Sequence, residues 1–141
     1  MTVTETPPDE SVAAAVALLS FGYKFGVPPT AEWMVDVRVV RNPFWVAELR
    51  PRTGLDPAVS AYVLEDPIAR ELIDRTQALV LWSAQRYAER GRQTLSVAVG
   101  CTGGRHRSVA IVEALATRLR EDGLIVAAGH RDVDTPDPRF E

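Results

Sequence analysis

Runs of apolar residues along the chain predict four β-strands. Residues 12–19 are apolar throughout, which is typical of a buried strand, although their alanine content leaves a helix as the alternative. Residues 35–40 alternate, with valines on one face and Asp36 and Arg38 on the other. Two short apolar segments follow near the C-terminal end of the chain, at 95–99 and 124–128.

A long helix is predicted to begin at Asp66 and Pro67. The aspartate can cap the first N–H groups, and proline costs nothing at the first helical position. The helix is expected to run to about Glu89, before Gly91. Its apolar residues recur at helical spacing and are Ile68, Leu72, Leu79 and Trp82.

A second helix follows the glycine-rich segment 100–108. Its predicted apolar face consists of Val109, Val112, Ala116 and Leu119. Gly123 is expected to end it. Residues 41–57 contain three prolines and one glycine without a regular period, so they predict a long ordered loop.

The order of these elements predicts a single α/β domain with a mostly parallel sheet and flanking helices. Strand 95–99, turn 100–108, a helix and strand 124–128 form a βαβ unit, which makes the two strands parallel. We expect the folded domain to span residues 12–131. The segments 1–11 and 132–141 are acidic and contain proline, and we expect them to be loose tails.

Composition narrows the functional classes. The chain has 141 residues, 46% of them hydrophobic, and a net charge of -3, so a whole-surface nucleic-acid binder is disfavoured. It has one cysteine, no signal-peptide pattern and no apolar run near the roughly 20 residues that span a bilayer. We therefore expect a cytoplasmic protein without a membrane partner.

The segment GCTGGRHRS (100–108) is the predicted site of chemistry. It joins the end of a buried strand to a helix N-terminus, where unpaired backbone N–H groups and a partial positive charge favour phosphate. A tight packing turn with solvated arginines is the alternative. The predicted anion-binding residues are Cys101, Thr102, Gly103, Gly104, Arg105, His106, Arg107 and Ser108.

Known phosphate motifs constrain this interpretation. The chain has neither G-x-x-x-x-G-K-[ST] nor G-x-G-x-x-G. Cys101, Arg107 and Ser108 fit Cys-x5-Arg-Ser/Thr, which resembles the phosphate loop of cysteine-dependent tyrosine phosphatases. That chemistry would use a thiolate nucleophile and a general acid, for which only Asp56 is a candidate. The alternative for the thiol is a small packing residue.

The chain as a whole resembles the C-terminal domain of the RapZ family of RNase adapter proteins, over residues 17 to about 131. Four blocks carry the resemblance: SFGYKFGVP (20–28), DVRVVRNPFW (36–45), LRPRTGLD (49–56) and VAVGCTGGRHRSV (97–109). Longer family members resemble a fusion of this domain to an N-terminal P-loop domain, whose motif is not found in this sequence. Whether a separate P-loop partner protein supplies that half stays open.

The resemblance implies a phosphofructokinase-like α/β fold and a pocket for an amino-sugar metabolite such as glucosamine-6-phosphate. It implies no reaction and no cofactor, so a non-enzymatic sensor is predicted. It also implies a homo-oligomer and, in some relatives, binding of a small RNA that is presented to an endoribonuclease. The acidic end of this chain (DTPDPRFE) disfavours RNA, because like charges repel the phosphate backbone.

Further ligand contacts are predicted in the segments expected beside the turn. The SFGYKFG segment contributes Lys24, and its Phe25 stands where some relatives place a histidine. Arg38 is predicted from the polar face of the second strand, and Thr53 and Gly54 from the loop 41–57. His130 and Arg131, which follow the fourth strand, complete the predicted contacts.

Overall fold

Four parallel strands form the sheet of the computed structural model, which describes residues 12–136. The strands are β1 (Ala15–Gly22), β2 (Trp33–Asp36), β3 (Thr94–Cys101) and β4 (Val126–His130). Their order is β2-β3-β1-β4, and every pairing is parallel. The predicted α/β class is confirmed. The segments 1–11 and 137–141, both expected to be tails, lie outside the described residues.

Three α-helices accompany the sheet within residues 12–136. They are α1 (Pro57–Leu64), α2 (Pro67–Glu89) and α3 (Arg107–Glu121). α3 contacts β1, β3 and β4, and α2 packs on α3 and β3. The buried core joins the inner strands to these helices, with Leu18, Val97, Ile111 and Leu115 among its members. No helix in residues 12–136 is long and apolar enough to cross a membrane.

The parallel register brings the carboxyl ends of the strands to one edge of the sheet. Gly22 at the end of β1 is paired with Cys101 at the end of β3. Asp36 of β2 is paired with Gly100, and His130 of β4 with Ser20. Ligand sites in open α/β sheets lie outside this edge. The glycine-rich turn 102–106 leaves the sheet there.

Strand boundaries differ from the predicted ones where pairing or a local turn overrides the hydrophobic pattern. β1 is a strand, as predicted, but runs over 15–22 because its pairing with β3 continues to the glycine-rich turn. β3 is longer than the predicted 95–99. β4 begins and ends two residues later than the predicted 124–128, where its register with β1 places it.

The predicted strand 35–40 is wrong beyond Asp36. The Asp36 carboxylate accepts the Arg38 N–H at 2.9 Å, which turns the chain out of the sheet. Val37 is buried after this turn, whereas Val39 is 64% exposed. The alternation therefore continues in the sequence after the strand has ended.

Helix α1 was not predicted. It begins at Pro57, the last residue of the predicted loop 41–57, and the Asp56 carboxylate caps it by accepting the Ala58 N–H at 2.8 Å. The rest of that loop contains a short 3-10 helix at Pro43–Trp45 and turns. The missed start has the same Asp-Pro signature that identified α2.

The extent of α2 is confirmed, but its predicted apolar face is wrong. Ile68, Leu79 and Trp82 are exposed, Trp82 by 53%, and Leu72 is half-buried. The buried face is shifted by one residue and consists of Ala69, Ile73, Thr76, Val80, Ser83 and Ala84.

The predicted face of α3 is confirmed. Val109, Val112, Ala116 and Leu119 are fully buried. Their neighbours Ala110, Ile111 and Leu115 are buried too, because the start of α3 lies between the sheet and the other helices. The N-terminus of α3 is therefore rigidly placed at the edge of the sheet.

Candidate functional site

A cavity of about 690 Å³ lies at the carboxyl edge of the sheet, over the N-terminus of α3. Its volume is within the range of small-molecule sites. The turn after β3 contributes Cys101, Thr102, Gly103, Arg105, His106 and Arg107 to its lining. The other walls come from Lys24, Phe25, Asn42, Phe44, Trp45, Ala47, Arg50, Pro51, Asp134 and Pro136.

Close packing of two glycines fixes the shape of the turn. Gly104 has φ +71°, and a Cβ built there would lie 2.5 Å from the Gly22 nitrogen at the end of β1. A Cβ on Gly22 would in turn lie 2.6 Å from the carbonyl carbon of Gly103. Only glycine fits both positions, so the turn is clamped against β1.

The turn that leads into α3 leaves backbone donors unpaired beside the cavity. His106 precedes the helix without a side-chain cap, unlike the residues before α1 and α2. Among the described residues, the backbone N–H groups of Gly103, Arg105 and His106 have no hydrogen-bond acceptor. Such groups at a helix N-terminus bind anions.

Arg107 is a buried cation beside these donors. The residue is 5% exposed, and its Nη1 donates to the carbonyls of Arg38 and Val40 at 2.9 and 3.1 Å. Its Nε is buried and has no partner among the described residues. Burial lowers the pKa of the Arg107 guanidinium. A buried, partly unpaired guanidinium is stabilised when an anion binds beside it.

His106 is held neutral. Its Nε2 donates to the Arg50 carbonyl at 3.1 Å, because a carbonyl oxygen can only accept. Burial lowers the pKa of the imidazole, and the charges of Arg105 and Arg107 lower it further. His106 therefore ties the turn to the loop at Arg50 without adding a charge of its own.

Charge and polarity divide the cavity into two parts. Among residues 12–136, the lining contains four basic side chains, those of Lys24, Arg50, Arg105 and Arg107, and one carboxylate, that of Asp134, so this part of the lining is cationic. The aromatic rings of Phe25, Phe44 and Trp45 form a wall, and Trp45 is 73% exposed. The arrangement suits a ligand with an anionic end and a less polar body.

Two predicted residues of the turn shape the cavity without lining it. Gly104 provides the close packing described above and donates its N–H to Cys101 Sγ at 3.3 Å. The buried Ser108 hydroxyl lies 3.1 Å from the same sulfur. The turn is thus organised around the cysteine.

The predicted residues of the loop and of the polar strand face also lie outside the lining. Gly54 donates its N–H to the Arg105 carbonyl at 2.7 Å and packs on the start of α3, while Thr53 accepts the Leu55 N–H in a local turn. Arg38 pairs with the Asp36 carboxylate and lies 4.0 Å over the Tyr23 ring. These contacts position the turn and its neighbours.

His130 and Arg131 are engaged within the protein as well. His130 Nδ1 is 2.7 Å from Ser20 Oγ, and Nε2 is 3.5 Å from Glu113. Arg131 donates to the carbonyls of Val27 and Gly22. Asp132 is buried and accepts the Gly22 N–H at 2.7 Å.

Sequence reasoning missed the far wall of the cavity. Phe44, Trp45 and Arg50 lie in the loop that was expected to be ordered, but the residues chosen there were Thr53 and Gly54. Asp134 lies in the segment expected to be a tail. The available signal was that residues 41–57 form a long segment without hydrophobic periodicity. Such a segment indicates a functional loop, but it does not indicate which of its residues contact a ligand.

A comparison with protein families decides the relationship of the chain. The family model described as RapZ C-terminal domain matches residues 14–134. The chain belongs to this family. The lining residues of the cavity from Lys24 to Asp134 all lie within the matched residues 14–134. Within residues 12–136, no group of three His, Cys, Asp or Glu side chains could hold a metal ion.

Curated relatives share the domain but are longer. A nucleotide-binding protein of Frankia alni is 50% identical over 116 residues, which are 82% of this chain and 40% of the relative. A nucleotide-binding protein of Streptomyces coelicolor is 46% identical over 125 residues, 89% of this chain and 42% of the relative. One of Limosilactobacillus fermentum is 41% identical over 90% of this chain and 44% of its own length. The chain thus spans less than half the length of these relatives.

Proposed function

We propose that the domain binds a phosphorylated sugar or amino sugar at the turn 101–108 and acts as a metabolite sensor without transforming its ligand. One observation carries the proposal: residues with unpaired backbone N–H groups in the turn before α3 and the buried, partly unpaired guanidinium of Arg107 line one cavity. Phosphate satisfies both, because it accepts several hydrogen bonds and carries charge.

The wall opposite the turn supports a sugar as the body of the ligand. Phe25, Phe44 and Trp45 supply aromatic side chains to the lining, the residue type that packs on the C–H face of a pyranose ring. Asp134 supplies the one carboxylate of the described lining and could pair with an ammonium group. Glucosamine-6-phosphate combines all three features.

The names of the relatives provide a competing ligand class. Because those proteins are called nucleotide-binding, a nucleoside monophosphate belongs in the test. This chain has no G-x-x-x-x-G-K-[ST] loop, so a nucleotide would have to place its phosphate in the same turn and its base on the aromatic wall. The two classes therefore compete for one cavity.

Isothermal titration with glucosamine-6-phosphate, glucose-6-phosphate, glucosamine, inorganic phosphate and AMP tests the proposal. We expect 1:1 binding of the sugar phosphates, weaker binding of inorganic phosphate and none of glucosamine. AMP binding tighter than that of either sugar phosphate would replace the sugar by a nucleotide. The absence of heat with every phosphate compound would overturn the proposal.

The Asp134→Asn variant tests the amino-sugar assignment. Removing the carboxylate charge should reduce the preference for glucosamine-6-phosphate over glucose-6-phosphate and leave glucose-6-phosphate affinity unchanged. Arg75→Ala is a matched control, since Arg75 is exposed on α2 and pairs only with Glu71 among the described residues. An unchanged preference in Asp134→Asn would remove the amino group from the proposal.

A further inference from the structure

Cys101 is a buried thiol at the base of the cavity, and ligand binding alone gives it no role. Its residue is 2% exposed, yet it lines the cavity. Gly104 donates its backbone N–H to the sulfur at 3.3 Å, and Ser108 Oγ lies at 3.1 Å. A sulfur that only fills space needs no such partners, whereas a thiolate is stabilised by hydrogen-bond donors.

Arg107 provides a second, independent observation. It is 5% exposed, lines the same cavity as Cys101, and its Nε has no hydrogen-bond partner among the described residues. A phosphoryl group bound beside this buried guanidinium would pair with its charge. The thiol and the cation therefore line the same cavity, an arrangement that suits phosphoryl transfer.

We propose that Cys101 is a phosphoryl acceptor, which takes the phosphoryl group of an activated donor bound in the turn and becomes S-phosphocysteine. The inference rests on the anion site of the proposed function, and it adds a covalent modification that would occupy that site.

The phosphoryl transfer and the hydrolysis that follows need only the phosphoryl donor and water. The Cys101 sulfur attacks phosphorus, an S–P bond forms, and the bond from phosphorus to the leaving oxygen breaks. The thiol proton goes to solvent, and the leaving group departs as an anion. Water then attacks phosphorus, the S–P bond breaks, and inorganic phosphate and the thiol are restored. The Ser108 hydroxyl is placed to donate to the departing sulfur in this second step.

The cavity defines the class of donor. Its described lining holds one carboxyl group, Asp134, which is exposed, and the buried His106 is neutral with its Nε2 proton given to Arg50. Neither provides a placed general acid. The donors are therefore acyl or aryl phosphates, whose leaving groups depart without taking up a proton. Phosphate esters of sugars, with alkoxide leaving groups, remain bound and intact.

The experiment combines p-nitrophenyl phosphate with the whole chain. Rapid mixing should show a burst of p-nitrophenolate equivalent to one phosphoryl group per chain, followed by slow turnover. Acid quenching and tandem mass spectrometry should place the phosphoryl group on Cys101. In Ser108→Ala the adduct should persist longer, because the leaving sulfur has lost a donor.

Cys101→Ser and a titration with inorganic phosphate complete the design. The variant should lose the burst while keeping the circular dichroism spectrum and the cooperative thermal melt of the folded wild-type chain. Phosphate binding by the wild-type chain without any adduct would overturn this inference and leave the proposed function standing. A burst that survives in Cys101→Ser, or an adduct on another residue, would also overturn it. Failure to bind phosphate at all would overturn both.

Discussion

Each helix N-terminus has backbone N–H groups without an acceptor inside the helix, and α1 and α2 differ from α3 in how these groups are satisfied. At α1 and α2 the chain supplies its own anion: the carboxylates of Asp56 and Asp66 accept the N–H groups of Ala58 and Ile68 at 2.8 and 2.9 Å. At α3 the preceding residue is His106, which provides no cap. A side chain thus caps the N-terminus at α1 and α2 and not at α3, where the proposed ligand would take the place of the cap.

Buried charge shows the same contrast. N–H groups of Arg41 and Ile68 lower the pKa of Asp66, so the anion at α2 is fully ionised and partnered. The buried charge at α3 is instead the cation of Arg107, whose pKa burial lowers and whose Nε has no partner among residues 12–136. Under the proposed function, an anionic ligand would supply the partner that Arg107 lacks, whereas Asp66 has its partners within the protein.

Removing the cation at α3 should have the largest effect. Arg107→Ala should weaken phosphate or glucosamine-6-phosphate binding by about 2–5 kcal/mol, more than tenfold in affinity, because it removes a buried charge aimed at the anion. It should also lower stability, since the carbonyls of Arg38 and Val40 lose their donor. Titration calorimetry and a thermal melt measure the two effects. Wild-type affinity for the anion in a folded Arg107→Ala protein would contradict the claim that the cation at the start of α3 binds the ligand.

The second-largest effect is expected from a variant that disturbs the close packing of the glycine-rich turn against β1. Gly104→Ala should cost about 3 kcal/mol of stability, because a Cβ at φ +71° would also lie 2.5 Å from the Gly22 nitrogen. Gly91→Ala is the matched control: its φ is +80°, but nothing lies within 4 Å of the added Cβ. It should cost about 1 kcal/mol. Urea denaturation compares them, and equal losses would mean that the close packing contributes nothing.

Removing an internal cap should affect stability and not binding. Asp66→Ala should lower the free energy of unfolding by about 1–2 kcal/mol, since two backbone N–H groups lose their acceptor. Asp56→Ala, at a more exposed cap that accepts one such N–H, should cost less. Anion affinity should stay at the wild-type value in both variants. A loss of affinity in either one would show that the helix starts are not independent.

The smallest expected effect is a pH dependence from His106. Its pKa is lower in the folded chain than in the unfolded chain, because burial opposes the charged form. Above the ordinary histidine pKa of about 6.5 the imidazole is neutral in both the folded and the unfolded chain. Below that pH the unfolded chain binds the proton first, so the free energy of unfolding decreases as the pH is lowered. Denaturation from pH 7.5 to 5 should show this loss, and His106→Gln should reduce it. An identical pH profile in His106→Gln would exclude the imidazole as its source.

The sequence allowed the prediction of features that lie in one continuous segment. The turn after Gly100, the donors at its helix start and the buried face of α3 follow from local glycines, capping and helical spacing. The class of the fold followed in the same way, because a βαβ unit is a local pattern. These features depend on neighbours in the chain.

Features that depend on distant neighbours could not be predicted. Ile68 and Trp82 are apolar and helically spaced, yet the packing of α2 selects the smaller Ala69 and Ala84 for the core. The aromatic wall reaches the turn only through the folded loop, and the contact of His106 with Arg50 spans 56 residues. The start of α1 at Asp56 was the exception, since its local signal was present and overlooked.

An NMR titration of the ¹⁵N-labelled chain with inorganic phosphate tests the central claim most directly. We predict that the amide signals of Gly103, Arg105 and His106 shift together and saturate at one equivalent site, while those at the start of α2, such as Ile68, stay in place. Amides of the turn that do not respond to phosphate, or that shift no more than Ile68, would contradict the account.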